Sequence, residues 1–336
     1  MRIAILSPIA WRTPPLNYGP WEQVASNIAE GLLERKIDVT LFATGNSITQ
    51  GKLQFVTQEG YAENPEIDPK VWECLHISNL MEQADKFDLI HNHFDFLPLT
   101  YSRLIKTPIL TTIHGFSSEK IVPVYKKYNS SSAYASISNS DRHPELEYIG
   151  TVYNGINPAE FTFKKIAKDY LLFFGRIHPE KGTYESIQIA KKSGKKLIIS
   201  GLIQDQNYFE SKVEPFIDGD TVEYAGNSGP QDRDKLLGEA SALLHPISFR
   251  EPFGLSVAEA MMCGTPVIAF NLGSMPELIE DGATGFLVKN LEEAVEAVKN
   301  LSHIKRENCR AHALSKFSRD AMTDNYLQLY HKLLDR

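Results

Sequence analysis

The chain has 336 residues, 42% of them hydrophobic and 23% charged, with a formal net charge of −7. That length accommodates two domains of ordinary size, each with its own core. The acidic balance, which already holds over residues 1–155, argues against a nucleic-acid binder and against docking on anionic lipid. Lys120, Lys126 and Lys127 lie beside Ile121, Val122, Val124 and Tyr125 and read as a solvated loop. The three cysteines, Cys74, Cys263 and Cys309, have no metal-ligand spacing and suit a reducing compartment. The apolar run at residues 2–6 is too short for a signal peptide. No stretch approaches the ~18 consecutive apolar residues of a membrane span. The expectation is a cytoplasmic protein, with peripheral attachment to a membrane left open.

Residues 2–6 read as a buried strand, followed by a helix over 20–36 whose Trp21, Val24, Ala25, Ile28, Ala29, Leu32 and Leu33 recur at helical spacing. Strands are predicted at 39–43, 87–92, 109–113 and 133–137. Strand and helix alternating in this way imply a parallel sheet covered by helices on both faces. The pattern restarts after Asn154, with strands at 171–175, 196–200, 222–224, 242–245, 266–270 and 285–288. Helices are predicted at 183–193, 232–239, 256–263, 291–300, 304–314 and 320–334. The stretches 154–158 and 164–169 read as a linker. No G-x-G-x-x-G follows the first strand, which excludes a hydride-transferring dinucleotide enzyme.

The stretch Glu251-Pro-Phe-Gly-Leu-Ser-Val-Ala-Glu259 places two carboxylates eight positions apart around a turn and a helix start. Pro252 and Gly254 bend the backbone, and the helix start offers unpaired amides that attract phosphate. A carboxylate on either side suits polyol hydroxyls, since it accepts two hydrogen bonds at once. Phosphate between two polyols describes a nucleotide sugar. Arg176 and Lys181 follow a strand and precede a helix, a fork of donors and a point charge suited to a diphosphate. His91-Asn-His93-Phe-Asp95 contains metal-ligating residue types but no recognised metal spacing.

Six motifs in order resemble the retaining glycosyltransferases of the GT-B fold, family 4: Tyr18-Gly-Pro-Trp-Glu22, Thr112-Ile-His-Gly115, Val152-Tyr-Asn-Gly155, Gly175-Arg-Ile-His-Pro-Glu-Lys-Gly182, the Glu251–Glu259 segment and Gly273-Ser-Met-Pro-Glu277. The resemblance implies an α/β fold of two facing Rossmann-like domains with a cleft between them. The domains would be 1–155 on the acceptor side and 156–317 on the donor side, with the helix at 318–336 returning to the first. A sugar would pass from a UDP- or GDP-sugar to a hydroxyl acceptor, a glycan, lipid-linked saccharide or small molecule, without metal or other cofactor. Carried over residue by residue, the donor contacts are Gly19, Arg176, Lys181, Glu251, Phe253, Gly254, Leu255 and Glu259. Arg176 and Lys181 would neutralise the leaving diphosphate, Glu251 would hold the donor sugar, and Glu259 the ribose. His114 joins Glu251, Arg176 and Lys181 near the reaction centre, while Trp21 and His93 are assigned to the acceptor side and residues 201–208 to the base. Pro20 departs from the pattern: it stands where the family has a second glycine and has no amide hydrogen to donate. Two other readings stay open here. One is a GT-B enzyme of another reaction type, such as a nucleotide-sugar epimerase or a phosphorylase. The other is a non-catalytic sugar-nucleotide-binding protein.

Overall fold

In the computed structural model, which describes residues 1–116 and 118–335, the chain divides into two units, Met1–Gly155 with Arg319–Arg336 and Ile156–Ser318. The sheet of the first unit contains β1 (Arg2–Leu6), β2 (Asp38–Phe42), β3 (Lys52–Gln54), β4 (Leu89–Asn92), β5 (Ile109–Ile113), β6 (Ala133–Ser136) and β7 (Gly150–Thr151). Their spatial order is β3-β2-β1-β4-β5-β6-β7, and the neighbours pair in parallel. Crossovers include α1 (Pro20–Glu34), α2 (Pro69–Met81) and α3 (Val122–Tyr128). The sequence reading finds the central strands because they are short runs of fully buried apolar residues, such as Ile3 to Leu6. It omits β3 and β7, which are too short and polar to stand out, and also α2 and α3, the second of which it takes for a solvated loop although Val122 and Tyr125 are buried. In α2 the apolar Val71 and Leu75 are exposed while His76 is fully buried, so no clean apolar stripe marks it.

The second unit repeats the plan with β8 (Tyr170–Phe174), β9 (Lys196–Ser200), β10 (Val222–Tyr224), β11 (Ala242–His245), β12 (Val267–Phe270) and β13 (Gly285–Val288). They are ordered β10-β9-β8-β11-β12-β13, again with parallel pairs. Its helices are α4 (Thr183–Ser193), α5 (Gln206–Tyr208), α6 (Pro230–Glu239), α7 (Leu255–Met262), α8 (Met275–Leu278), α9 (Leu291–Lys299) and α10 (Arg306–Phe317). Leu171, Phe173, Ile187, Leu197, Ile199 and Leu244 form the centre of its core. The stretch 164–169, read as linker, instead packs on this unit. Lys164 and Lys168 donate their amides to the carbonyls of Cys263 and Glu239, and the buried Arg306 donates to the carbonyl of Lys164. Charge content signals solvent, but these segments use their backbone as the attachment.

The final helix, α11 (Arg319–Leu334), belongs to the first unit and lies against α1. Gly31 makes the approach possible, since a Cβ there would stand 2.1 Å from Thr323 Oγ1. Arg35 reaches Asp320 and Asp324, and Arg319 reaches Glu34. Among the described residues no helix is long and apolar enough to cross a membrane.

Candidate active site

In a parallel sheet, ligands gather beyond the carboxyl ends of the strands where the strand order reverses. In the second unit that point lies between β8 and β11, and chemistry-bearing residues converge there. Lys181 comes from the turn after β8, His245 is the last residue of β11, and Glu251 sits on the loop from β11 to α7. The Lys181 ammonium lies 2.5 Å from Glu251 Oε2 and 4.6 Å from the ring centre of Phe249. His245 Nε2 lies 3.5 Å from the same oxygen. Burial alone would push the Glu251 carboxyl up, but His245 and Lys181 outweigh it and bring it down to about 2. Burial lowers His245, against the pull of Glu251. The cluster thus holds a carboxylate ionised beside a cation and a histidine disfavoured from charging.

The loop carrying Glu251 is braced from β12. Ser274 donates its amide to the Glu251 carbonyl at 3.0 Å and its hydroxyl to the Phe253 carbonyl at 2.7 Å. Gly273 has φ +59°, and a Cβ there would meet Glu251 N and O at 2.4 and 2.5 Å. The Gly273-Ser274 pair therefore shapes the loop from behind. Gly254 caps α7 in a left-handed conformation with φ +92°, and Leu255 opens the helix, whose first amides have no intrahelical acceptor. Phe253 is buried and packs edge-on against Phe317. Glu259, one turn further on, is buried and pairs with Arg233 Nη1 at 3.2 Å. Burial raises its carboxyl and Arg233 opposes the rise. Arg233 also reaches Glu160 and lies over the ring of Phe161.

Of the residues expected on the donor side, Lys181 and Glu251 are brought into direct contact, and Phe253, Gly254 and Leu255 are contiguous with them. Arg176 is not joined to that pair: its guanidinium donates to Gln204. His245 and Arg233 were missed by the sequence reading, because one sits inside an apolar strand and the other in a charged surface helix with no local motif. Among the described residues no group of three or more His, Cys, Asp or Glu side chains is arranged to hold a metal ion.

In the first unit the corresponding reversal falls between β1 and β4, and the residues there form a second cluster. His93 follows β4 and His114 follows β5. His93 Nδ1 lies 3.0 Å from His114 Nε2. Trp21 stacks on His114, with ring centres 5.4 Å apart and planes 20° apart. His93 is fully buried against His114. Burial brings His114 down to about 3 and pushes His93 well below the usual histidine range, so both rings are neutral near pH 7. Gly19, with φ +152°, precedes Pro20, the first residue of α1. A Cβ at Gly19 would meet Pro15 at 2.9 Å and Glu22 Oε2 at 3.1 Å. Glu22 is buried, accepts from the Trp11 amide at 3.3 Å, and is raised by burial to about 7. Asp95 has φ +80° and accepts from the Tyr125 hydroxyl.

Comparison with known proteins agrees with this architecture. The family model "Glycosyltransferase Family 4" matches residues 21–160, and "Glycosyl transferases group 1" matches residues 159–319. A 41.2 kDa protein of the cps region of Klebsiella pneumoniae is 29% identical over 73% of this chain and 79% of its own. The GDP-mannose:cellobiosyl-diphosphopolyprenol alpha-mannosyltransferase of Komagataeibacter xylinus is 27% identical over 74% of this chain and 72% of its own. Among solved structures, sucrose-phosphate synthase from Thermosynechococcus elongatus superposes with TM-score 0.81 at 19% identity, covering 100% and 99% of the two chains. Anabaena HepE in complex with UDP and glucose gives 0.75 at 19%, covering 99% and 100%. These likenesses carry the fold. With the two family models following one another along nearly the whole chain, the protein belongs to the group 1, family 4 glycosyltransferases, transferase enzymes of the GT-B fold.

Proposed function

We propose that this enzyme is a retaining glycosyltransferase that moves a sugar from a nucleoside-diphosphate sugar to a hydroxyl acceptor in glycan or glycoconjugate biosynthesis. The observation that carries the reading is the Lys181–Glu251–His245 cluster beside the N-terminus of α7. It combines a cation for a leaving diphosphate, an ionised carboxylate for sugar hydroxyls, and the amides at a helix start for phosphate. Negative charge grows on the diphosphate as the glycosidic bond breaks, so Lys181 acts most strongly in the transition state. Arg176, at the end of β8, supplies a second cation once it exchanges Gln204 for phosphate. Glu259 is assigned to the ribose diol and His114 to the donor sugar, with Gly19 giving close backbone approach at its loop. The raised Glu259 carboxyl gains from partners that donate hydrogen bonds, as a diol does.

Both uridine and guanosine donors stay in view. The Komagataeibacter relative is named for GDP-mannose and the Anabaena structure contains UDP. The test is transfer or slow hydrolysis with a panel of UDP- and GDP-sugars, following release of the nucleoside diphosphate and the anomeric configuration of the product. Turnover of one nucleotide family with retained configuration is the expected result. Inverted product, or no binding of any sugar nucleotide, overturns the reading.

A further inference from the structure

Behind His114 the first unit carries a hydrogen-bonded column that the donor contacts do not use. His91 Nδ1 lies 2.7 Å from the Tyr330 hydroxyl and its Nε2 lies 2.8 Å from Thr112 Oγ1. Thr112 Oγ1 lies 2.7 Å from the Tyr326 hydroxyl. Both tyrosines belong to α11 and are fully buried. Two residues further along, just past the ends of β4 and β5, His93 and His114 make the next rung, and the ring centres of His91 and His93 lie 4.1 Å apart with their planes tilted by 48°. Alternation along a strand puts residues i and i+2 on one face, so the two rungs form one column, with Trp21 stacked on His114.

His93 Nε2 is buried and has no hydrogen-bond partner among the described residues. A proton on that nitrogen would be an orphaned N–H, whereas a proton on Nδ1 is donated to His114. We propose that His93 is a positioning residue for the transfer reaction: its Nδ1–H donates to His114 Nε2, which fixes His114 as the Nδ1–H tautomer, and the tyrosine-bound His91 holds the His93 ring in place. A neutral imidazole carries one N–H, so an acceptor role at Nε2 commits the proton to Nδ1, on the side of the ring turned away from His93. His114 then presents a hydrogen-bond donor of fixed direction. This inference rests on the assignment of His114 to the donor sugar.

The experiment uses the full-length protein with ¹⁵N-labelled histidine, His114 being assigned through a His114→Asn variant. The tautomer of His114 is read from its ring nitrogens, and kcat and KM are measured with the sugar nucleotide that supports turnover. The unsubstituted protein shows the Nδ1–H form at His114. His93→Leu removes the donor, so His114 loses that single form and kcat falls by roughly a hundredfold, the scale of a misplaced group at a reacting centre, with KM for the donor little changed. His93→Asn, whose side-chain amide reaches the position of Nδ1, restores both. An Nε2–H form at His114 in the unsubstituted protein overturns the proposal, as does a His114 tautomer unaffected by His93→Leu. A changed tautomer with unchanged kcat overturns the positioning role of His93 in transfer and, in addition, removes His114 from the reaction centre.

Discussion

Lys181 and Glu251 are seventy positions apart in the chain, yet the ammonium and the carboxylate meet at 2.5 Å beside His245. Glu251 is 9% exposed, and a carboxylate so placed stays ionised only because cationic and N–H partners offset its desolvation. His245 and Lys181 together therefore keep Glu251 ionised.

Lys181→Ala is expected to act twice. Transfer falls by roughly 10²–10³-fold, the scale of losing one preorganised charge at a developing anion. The Glu251 carboxyl, left with His245 alone, moves up from about 2. Initial rates over a range of pH, with circular dichroism to show that the fold is kept, measure both. A variant within about threefold of the parent rate removes Lys181 from the donor machinery.

Gly273→Ala tests the brace behind Glu251. The residue has φ +59° and its Cβ would collide with the Glu251 backbone. Relief requires the Glu251 loop to move, since the obstacle is backbone and not a mobile side-chain tip. The left-handed conformation alone costs about 1–2 kcal/mol for a non-glycine residue. Turnover is expected to fall at least about tenfold, because small misplacements at a reacting centre are expensive. A rate equal to the parent shows that Gly273 serves only the turn.

Glu22→Gln tests the buried acid at the start of α1. Its folded value, about 7, lies above its ordinary 4.5 because of burial. The native state thus holds the proton more tightly than the unfolded chain. The stability associated with this group is full below pH 4.5, declines as pH rises towards 7, and stays low above it. The decline amounts to roughly 3 kcal/mol. Glu22→Gln is expected to flatten it, so the variant gains stability over the parent at pH 8 and not at pH 4.5. Urea denaturation at the two pH values decides the point, and parallel loss in both proteins refutes it.

The sheets were legible in the sequence because parallel strands buried on both faces are plain apolar runs, and β9, β10 and β11 are found at their observed bounds. Lys181 and Glu251 were legible because a glycine or proline turn sets each beside a helix start. What the sequence hides is pairing at a distance. Arg233 approaches Glu259 from α6, His245 approaches Glu251 from β11, and α11 delivers two tyrosines to His91 and Thr112. None of these partners shares a motif with its target, since the contacts depend on which strands become neighbours. His93 shows the same limit: a histidine after a strand suggests a ligand contact, and only the register of β4 and β5 reveals another histidine beside it.

The tyrosines of α11 should differ in their contribution to stability. The Tyr330 hydroxyl is the partner of His91 Nδ1, so Tyr330→Phe leaves a fully buried ring nitrogen unsatisfied. The Tyr326 hydroxyl bonds Thr112 Oγ1, which keeps its contact with His91 Nε2 when that hydroxyl is removed. Stranding a buried polar group costs about 1–3 kcal/mol, against about 1 kcal/mol for a bond whose remaining partner is still satisfied. Tyr330→Phe is therefore expected to lower the urea midpoint more than Tyr326→Phe, with the m-value unchanged in both. The double variant should exceed neither the sum nor fall far below it, because His91 still retains Thr112. Equal midpoints for the two single variants would show that His91 finds another partner, and that α11 holds this column by packing alone.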